Sequence, residues 1–150
     1  MTIRIIQLPR VKMARSGGRD LEKFDRWWSK IASEETGVLY PKDFMWNNEK
    51  LGCLEWIYAI PENLEDTSGY EVFDFPGGLY AVATAYDEDE DRTEAYNRIY
   101  TWVKSSEHFD LATEENDPNY HTRYGMGHVI TPQGLPIRNQ FDIYVPIKLK

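Results

Sequence analysis

The chain has a single cysteine, Cys53, among 150 residues, which excludes an intrachain disulfide framework. No apolar run approaches the roughly 20 residues that span a bilayer. "MTIRIIQLPRVK" also lacks the apolar stretch and small-residue cleavage site of a secretory leader, so the expected compartment is the cytoplasm, with no membrane association. Basic residues are few: 17 Lys and Arg stand against 25 Asp and Glu, for a formal charge of −8. Gripping nucleic acid calls for clustered cations, so no direct nucleic-acid binding is expected. The histidines His108, His121 and His128 show no metal-ligand spacing and have no cysteine companions. Neither a metal nor a cofactor is expected. The GxGxxG, GxxxxGKS, GxSxG and HExxH patterns are absent. "SGG" at 16–18 and "PGG" at 76–78 therefore read as turns. "DEDED" at 87–91 lacks the alternating ligands and central glycine of a calcium loop. It reads instead as a helix start, where carboxylates meet the positive end of the dipole.

Aromatic residues are what the chain has in excess: 5 Trp, 10 Tyr and 6 Phe. So many Tyr and Trp suit a pocket that stacks on flat apolar ligands, because each pairs an apolar body with a polar handle. Cys53 lies in "LGCLEWIYAIP", with no neighbouring base to lower its pKa, and reads as a structural thiol.

Periodicity divides the chain into two similar halves. "IRIIQLPRVKMAR" is a strand interrupted at Pro9. "RDLEKFDRWWSKIASEETG" is a helix with Leu21, Phe24, Trp27, Trp28 and Ile31 on one stripe, Asp20 as N-cap and Gly37 past its end. "KDFMWNN" and "GCLEWIYAIP" are strands. "YEVFDFPGGLYAVATAYD" is a second interrupted strand, broken at Pro76. "DEDEDRTEAYNRIYTWVKSS" is a second helix that buries Ala95, Ile99, Trp102 and Val103. "HTRYGMGHVITP" and "NQFDIYVPIKL" form a hairpin around "PQGLPIR". The halves also match in letters: Leu8-Pro9 with Phe75-Pro76, "FDRWW" at 24–28 with "YNRIY" at 96–100, "IYAIP" at 57–61 with "IYVPI" at 143–147. The expected structure is one α+β domain over 1–150, built as a tandem β-α-β-β repeat with pseudo-twofold symmetry. Repeat one runs over about 3–61 and repeat two over about 70–148. An antiparallel sheet would carry the helices on one face and a ligand groove on the other.

Tandem β-α-β-β repeats, "GGLYAV" leading to a helix and a closing "FDIYVPIK" resemble the GyrI-like small-molecule-binding domain. The same module is the effector-binding part of multidrug-sensing MerR-type and AraC-type transcription regulators. The resemblance spans about Ile3 to Lys148, and the closing acid-Ile-Tyr-Val-Pro-Ile pattern is its most specific part. It implies a lipophilic ligand, often flat and cationic, held along the repeat boundary by a carboxylate and a tyrosine of the last strand, here Asp142 and Tyr144. That family more often has Glu at the first position, so Asp142 reaches one methylene less far. The regulators' DNA-binding helices have no counterpart in residues 1–150. The resemblance is therefore to stand-alone members, with a regulator or an enzyme as implied protein partner.

Strand alternation then sorts the side chains. Phe141, Ile143 and Val145 are expected to face the helices, and Asp142 and Tyr144 the groove. The match of "IYAIP" to "IYVPI" makes Trp56 and Tyr58 the facing wall and turns Glu55 toward the helices, unless a β-bulge reverses it. Tyr124, Met126 and His128 share a groove parity on the neighbouring strand. Gly125 and Gly127 would leave room for a ligand or a strand. Each residue also has a plain reading: Asp142 as a solvated acid, Tyr144 and Trp56 as packing, His128 as a hydrogen-bonded strand residue. Three functions are compatible with these features. The first is non-enzymatic binding of a hydrophobic, aromatic and cationic effector in a regulatory or multidrug-response role. The second is hydrolysis of cyclopropane-bearing alkylators, with Asp142 and Tyr144 catalytic. The third is inhibition of a larger enzyme.

Overall fold

The computed structural model describes residues 2–32, 41–86, 89–130 and 139–150, excluding the side chains of residues 32, 89 and 90. Gly37, residues 87 and 88 of the acidic run and the turn at 132–138 lie outside the described residues. Among the described residues nine strands and two helices follow in the order β1 (Arg4–Leu8), β2 (Val11–Arg15), α1 (Leu21–Ala32), β3 (Asp43–Asn48), β4 (Cys53–Ala59), β5 (Glu71–Phe75), β6 (Gly78–Tyr86), α2 (Asp89–Ser105), β7 (Phe109–Leu111), β8 (Met126–Ile130) and β9 (Gln140–Leu149). A 3-10 turn at Tyr120–Thr122 precedes β8. The long segment between α2 and β8 thus contributes β7, which pairs with β9, a strand that the repeat pattern alone does not contain. Neither helix is long and apolar enough to cross a membrane.

Hydrogen bonding runs β1-β6-β9-β8-β3-β4-β2-β5, antiparallel throughout. β1 and β2 are one extended run broken at Pro9, and β5 and β6 another broken at Pro76. Pro has no N–H to give a ladder and tolerates only such breaks. The two broken runs pair with each other, Leu8 opposite Gly78 and Val11 opposite Phe75. The chain of pairings therefore returns to its start, and the sheet curls into a closed circuit. Gly77 makes the second break possible: it has φ +67°, and a Cβ there would lie 2.3 Å from the Leu8 carbonyl oxygen.

Asp20 caps α1 by accepting from the backbone N–H groups of Glu22 (2.9 Å) and Lys23 (3.2 Å). Phe24 of α1 is buried with Ala14, Tyr58, Ile60 and Tyr70, and Trp28 stacks on Tyr58 at 4.0 Å between centroids. α2 buries Ala95, Ile99 and Val103 on Ala81, Ala83, Ile143, Val145 and Ile147. Both expected helix stripes are thus in contact with the sheet. The concave side, away from the helices, holds a third cluster built on Met13, Phe44, Trp46, Ile57, Phe75, Tyr80, Val82, Tyr124, Met126 and Tyr144.

Candidate functional site

The register shows which positions of the two halves correspond. Ala14 and Ala81 stand at the same distance beyond Pro9 and Pro76, and both are fully buried. Ala14 is paired with Tyr58 and Ala81 with Val145. Stepping back along β4 and β9, Ile57 corresponds to Tyr144, Trp56 to Ile143 and Glu55 to Asp142. The letter match of "IYAIP" with "IYVPI" is therefore out of step with the fold, and an odd-numbered slip moves every side chain to the opposite face.

This corrects the expected facing wall. Trp56 and Tyr58 pack beneath α1, not in the concavity. Tyr58 gives its hydroxyl to Asp25 Oδ1 at 2.6 Å, and Trp56 gives Nε1 to Asp43 Oδ2 at 3.1 Å. Burial and the Asp25 and Asp43 charges hold the Tyr58 phenol far above its ordinary range. Glu55, expected under the helices, points into the concave side. The offset prolines carried the signal: Pro61 lies four residues beyond Ile57, whereas Pro146 lies three beyond Ile143. Aligning the prolines restores the correct parity.

The interior consequently has a carboxylate toward each end. At the repeat-one end Glu55 is fully buried. It accepts from Arg15 Nη2 (2.8 Å), the Gly17 N–H (3.1 Å), Trp46 Nε1 (2.8 Å) and Asn48 Nδ2 (2.9 Å). Burial pushes its carboxyl up, but the donors from Arg15, Asn48 and Trp46 outweigh this and hold it below the usual carboxylate range. Tyr124 belongs to this end. Its ring meets Trp46 edge-on at 5.2 Å, and its hydroxyl is 2.8 Å from His121 Nδ1.

At the repeat-two end Asp142 accepts from Thr84 Oγ1 at 2.5 Å and lies 3.8 Å from Arg4 Nη2. Tyr144 is buried next along β9 and meets Phe44 edge-on at 5.2 Å and Tyr80 at 6.0 Å. Burial, helped by the Asp142 charge and opposed by Arg4, raises the Tyr144 phenol, so its hydroxyl stays protonated at neutral pH. β8 pairs Met126 with Tyr144 and His128 with Asp142. Asp142, Tyr144, Met126 and His128 thus share one end of the concavity, and Phe141, Ile143 and Val145 face α2 as expected. Gly127 pairs with Met45 of β3 and Ile143 of β9, and a Cβ there would fall 2.0 Å from Phe141 Cε1, so the Phe141 ring takes the space of a side chain. Cys53 is half-buried, not enclosed.

The seam between the halves is thin on this side. β3 and β8 pair only at Met45–Gly127 and Trp46–Met126. Past that point His128 Nδ1 lies 2.9 Å from the Asp43 carbonyl oxygen and 3.5 Å from its carboxylate. Burial pushes the Asp43 carboxyl up, against the pull of His128 and the Trp56 hydrogen bond, and Asp25 adds to the rise. A carboxyl raised in the fold costs stability once it ionises, above its unfolded value of 3.8. Asp43→Asn keeps an oxygen for Trp56. It is expected to raise the melting temperature at pH 7 by a few degrees, about 1 kcal/mol, with the gain shrinking below pH 4. A lower melting temperature at pH 7 would show that the His128 contact outweighs the burial cost.

Tyr80, Phe44, Thr84 and Arg4 were not singled out from the sequence. Tyr80 is fully buried in the concave cluster, with its hydroxyl without a hydrogen-bond partner among the described residues. Phe44 shares the alternation of Trp46 and was readable from it. Thr84 stands opposite Asp142 because β6 pairs with β9, and Arg4 reaches Asp142 because β1 pairs with β6 of the other half. Among the described residues no group of three His, Cys, Asp or Glu side chains is arranged to hold a metal ion. A cavity of about 30 Å3 opens beside Leu8, Val11, Met13, Phe44 and Phe75, room for about one water. On the helix side of the seam a cleft of about 390 Å3 is bounded by Met45, Asn47, Leu54, Tyr96 and Phe141. The chemistry available in the concavity is that of rings and a carboxylate: cation–π attraction, stacking and charge neutralisation.

The family model of Cass2, the integron-associated effector binding protein, matches residues 4–147. Among curated proteins none matches the sequence. The structure of SAV2435 bound to tetraphenylphosphonium is similar with a TM-score of 0.59 at 12% identity, covering 99% of this chain and 94% of that one. A hydrolase from Listeria innocua is similar with a TM-score of 0.62 at 11% identity, covering 97% and 91%. At these identities the likeness concerns the fold.

Proposed function

Because the chain belongs to the Cass2 family of integron-associated effector-binding proteins, we propose that it binds a hydrophobic, aromatic and cationic small molecule on the concave side of its sheet, at the Asp142 end. The observation that carries this reading is Asp142 itself. It is a partly exposed carboxylate with one hydroxyl donor and a guanidinium at 3.8 Å among the described residues, two positions before Tyr144, whose ring meets Phe44 and Tyr80. Aromatic faces and a carboxylate attract a delocalised cation without requiring one fixed hydrogen-bond geometry. The structural likeness to SAV2435, which binds such a cation, supports the same chemistry. A ligand site ordinarily encloses about 300–1,000 Å3, so a multi-ring ligand requires the side chains around Phe44 to move. The thin β3–β8 seam is the place where the curl can open. The role that fits is effector sensing or sequestration in a multidrug or transcriptional response.

Tryptophan fluorescence titration with tetraphenylphosphonium tests the site. The wild-type chain is expected to bind, and Asp142→Asn to bind about 10- to 100-fold more weakly, the worth of a charged partner. No binding, or equal binding by the variant, would sink the proposal. Hydrolysis of a strained electrophile is the second reading. It is favoured by one observation, the protonated Tyr144 hydroxyl beside Asp142, where a proton donor and a base would meet a substrate.

A further inference from the structure

The two ends of the interior repeat one device, a carboxylate capped by an arginine, with opposite security. At the repeat-one end Arg15 lies 2.8 Å from Glu55, with side chains 14% and 0% exposed. The Gly17 N–H, Trp46 and Asn48 complete the cage. A pair so buried and so fully hydrogen-bonded does not exchange with solvent ions, because opening it strands a desolvated charge. At the repeat-two end Arg4 lies 3.8 Å from Asp142, with side chains 50% and 14% exposed. That separation is at the limit of an ion pair and beyond a hydrogen bond. The cage is also missing. Trp46, a fixed donor to Glu55, corresponds to His128, which turns to Asp43. The Gly17 main-chain donor corresponds to the Thr84 side-chain hydroxyl.

Arg4 approaches from β1 at the rim of the sheet, on the alternation of Ile6 and Leu8, which pack on the concave cluster. It is close enough to act on the Tyr144 phenol together with Asp142. Arg4, Asp142 and Tyr144 therefore occupy one locality, with Arg4 the exposed and movable member.

Resting on the binding reading above, we propose that Arg4 is a built-in competitor of the ligand: its guanidinium occupies Asp142 in the free protein and is displaced when a cationic ligand arrives. The arrangement sets specificity as well as affinity. A monocation must replace Arg4, so weakly lipophilic cations gain nothing over it, and only ligands with ring surface to bury bind with net gain. A neutral aromatic leaves the Arg4–Asp142 pair intact. The site is single: the locked Glu55 end takes no cation.

The sign of the expected effect is unusual, since deleting a site residue strengthens binding. An exposed ion pair is worth up to about 1 kcal/mol, or about fivefold. The full chain is titrated with tetraphenylphosphonium at low ionic strength. Arg4→Ala is expected to bind about two- to fivefold more tightly than wild type, Arg4→Lys within about twofold of wild type. The Arg4→Ala gain is expected to fade as salt screens the competition. Triphenylphosphine oxide, neutral and of similar ring content, is expected to bind wild type and Arg4→Ala alike. Arg4 is half exposed on an outer strand, so its loss leaves the core untouched. Binding by wild type with no gain in Arg4→Ala overturns the Arg4 proposal alone. An equal gain for the neutral ligand also overturns it, by assigning the effect to loosened structure. Absence of binding by every protein overturns it together with the binding reading.

Discussion

Arg123→Ala is expected to destabilise the protein by about 3–5 kcal/mol, lowering the melting temperature by roughly 10–15 °C for a chain of this size. Arg123 precedes β8 and is almost completely buried. Its Nη1 donates to the Gly77 carbonyl at 2.8 Å, and its Nη2 donates to the carbonyls of Leu79 (3.0 Å) and Ile147 (3.1 Å). Its Nε lies 2.9 Å from Asp117 Oδ2, with side chains 5% and 2% exposed. One planar group thus ties the break before β6, the end of β9 and the segment after β7 into one unit. Truncation leaves a buried carboxylate without its counter-charge and takes one hydrogen bond from each of three carbonyl oxygens. Lysine cannot reproduce the fork, so Arg123→Lys is expected to recover less than half of the loss. Gly78→Ala approaches the same clamp from the other side, since a Cβ there would lie 1.9 Å from Arg123 Nη1. Urea denaturation of the three variants reads these effects. A loss below about 1 kcal/mol for Arg123→Ala would mean that water replaces the guanidinium and that the clamp is not structural.

Arg15→Ala is the second large effect, also about 3–5 kcal/mol at pH 7, because it strands Glu55 in the interior with neutral donors only. The pH dependence identifies the cause. In the wild-type chain the Glu55 pKa is held below its unfolded value of 4.5. Its ionisation therefore contributes stability that is fully present above about pH 4.5 and lost as pH falls through the lower folded value. In Arg15→Ala burial is no longer outweighed and the folded pKa moves upward. The penalty of the substitution is then expected to shrink on acidification, since the protonated acid needs no counter-charge. Urea titrations at pH 7 and pH 4 make the comparison. A penalty constant with pH would assign the loss to contacts other than the Glu55 charge, among them the Phe73 ring, whose centre lies 4.5 Å from Arg15 Cζ.

Much of the architecture was readable from short-range chemistry. Phe24 and Trp28 recur at helical spacing, so α1 and its buried side follow from the letters. The same holds for Ala95, Ile99 and Val103 in α2. Pro9 and Pro76 mark where two long strands break. Within β9 strict alternation sends Ile143 and Val145 to α2 and Asp142 and Tyr144 away from it. All of these depend on periods of a few residues, which local sequence carries. The partner strand was harder. Trp56 and Tyr58 were misplaced because two runs of similar letters invite the wrong register, and a sheet's period of two turns that slip into a reversal of face.

By itself the amino-acid sequence determined a duplicated α+β domain with two amphipathic helices, and it singled out the carboxylate and tyrosine of the last strand. Only the tertiary structure decided what those two residues meet. Arg4 comes to Asp142 because β1 crosses to pair with β6, and Thr84 because β6 pairs with β9, contacts between residues far apart in the chain that no local pattern encodes. The difference between the caged Glu55 and the loosely held Asp142 arises in the same way. Both are single acidic letters in apolar strands. Their charge environments are set by which donors the closed circuit of strands brings within hydrogen-bond reach, and that separates a structural ion pair from a proposed ligand site.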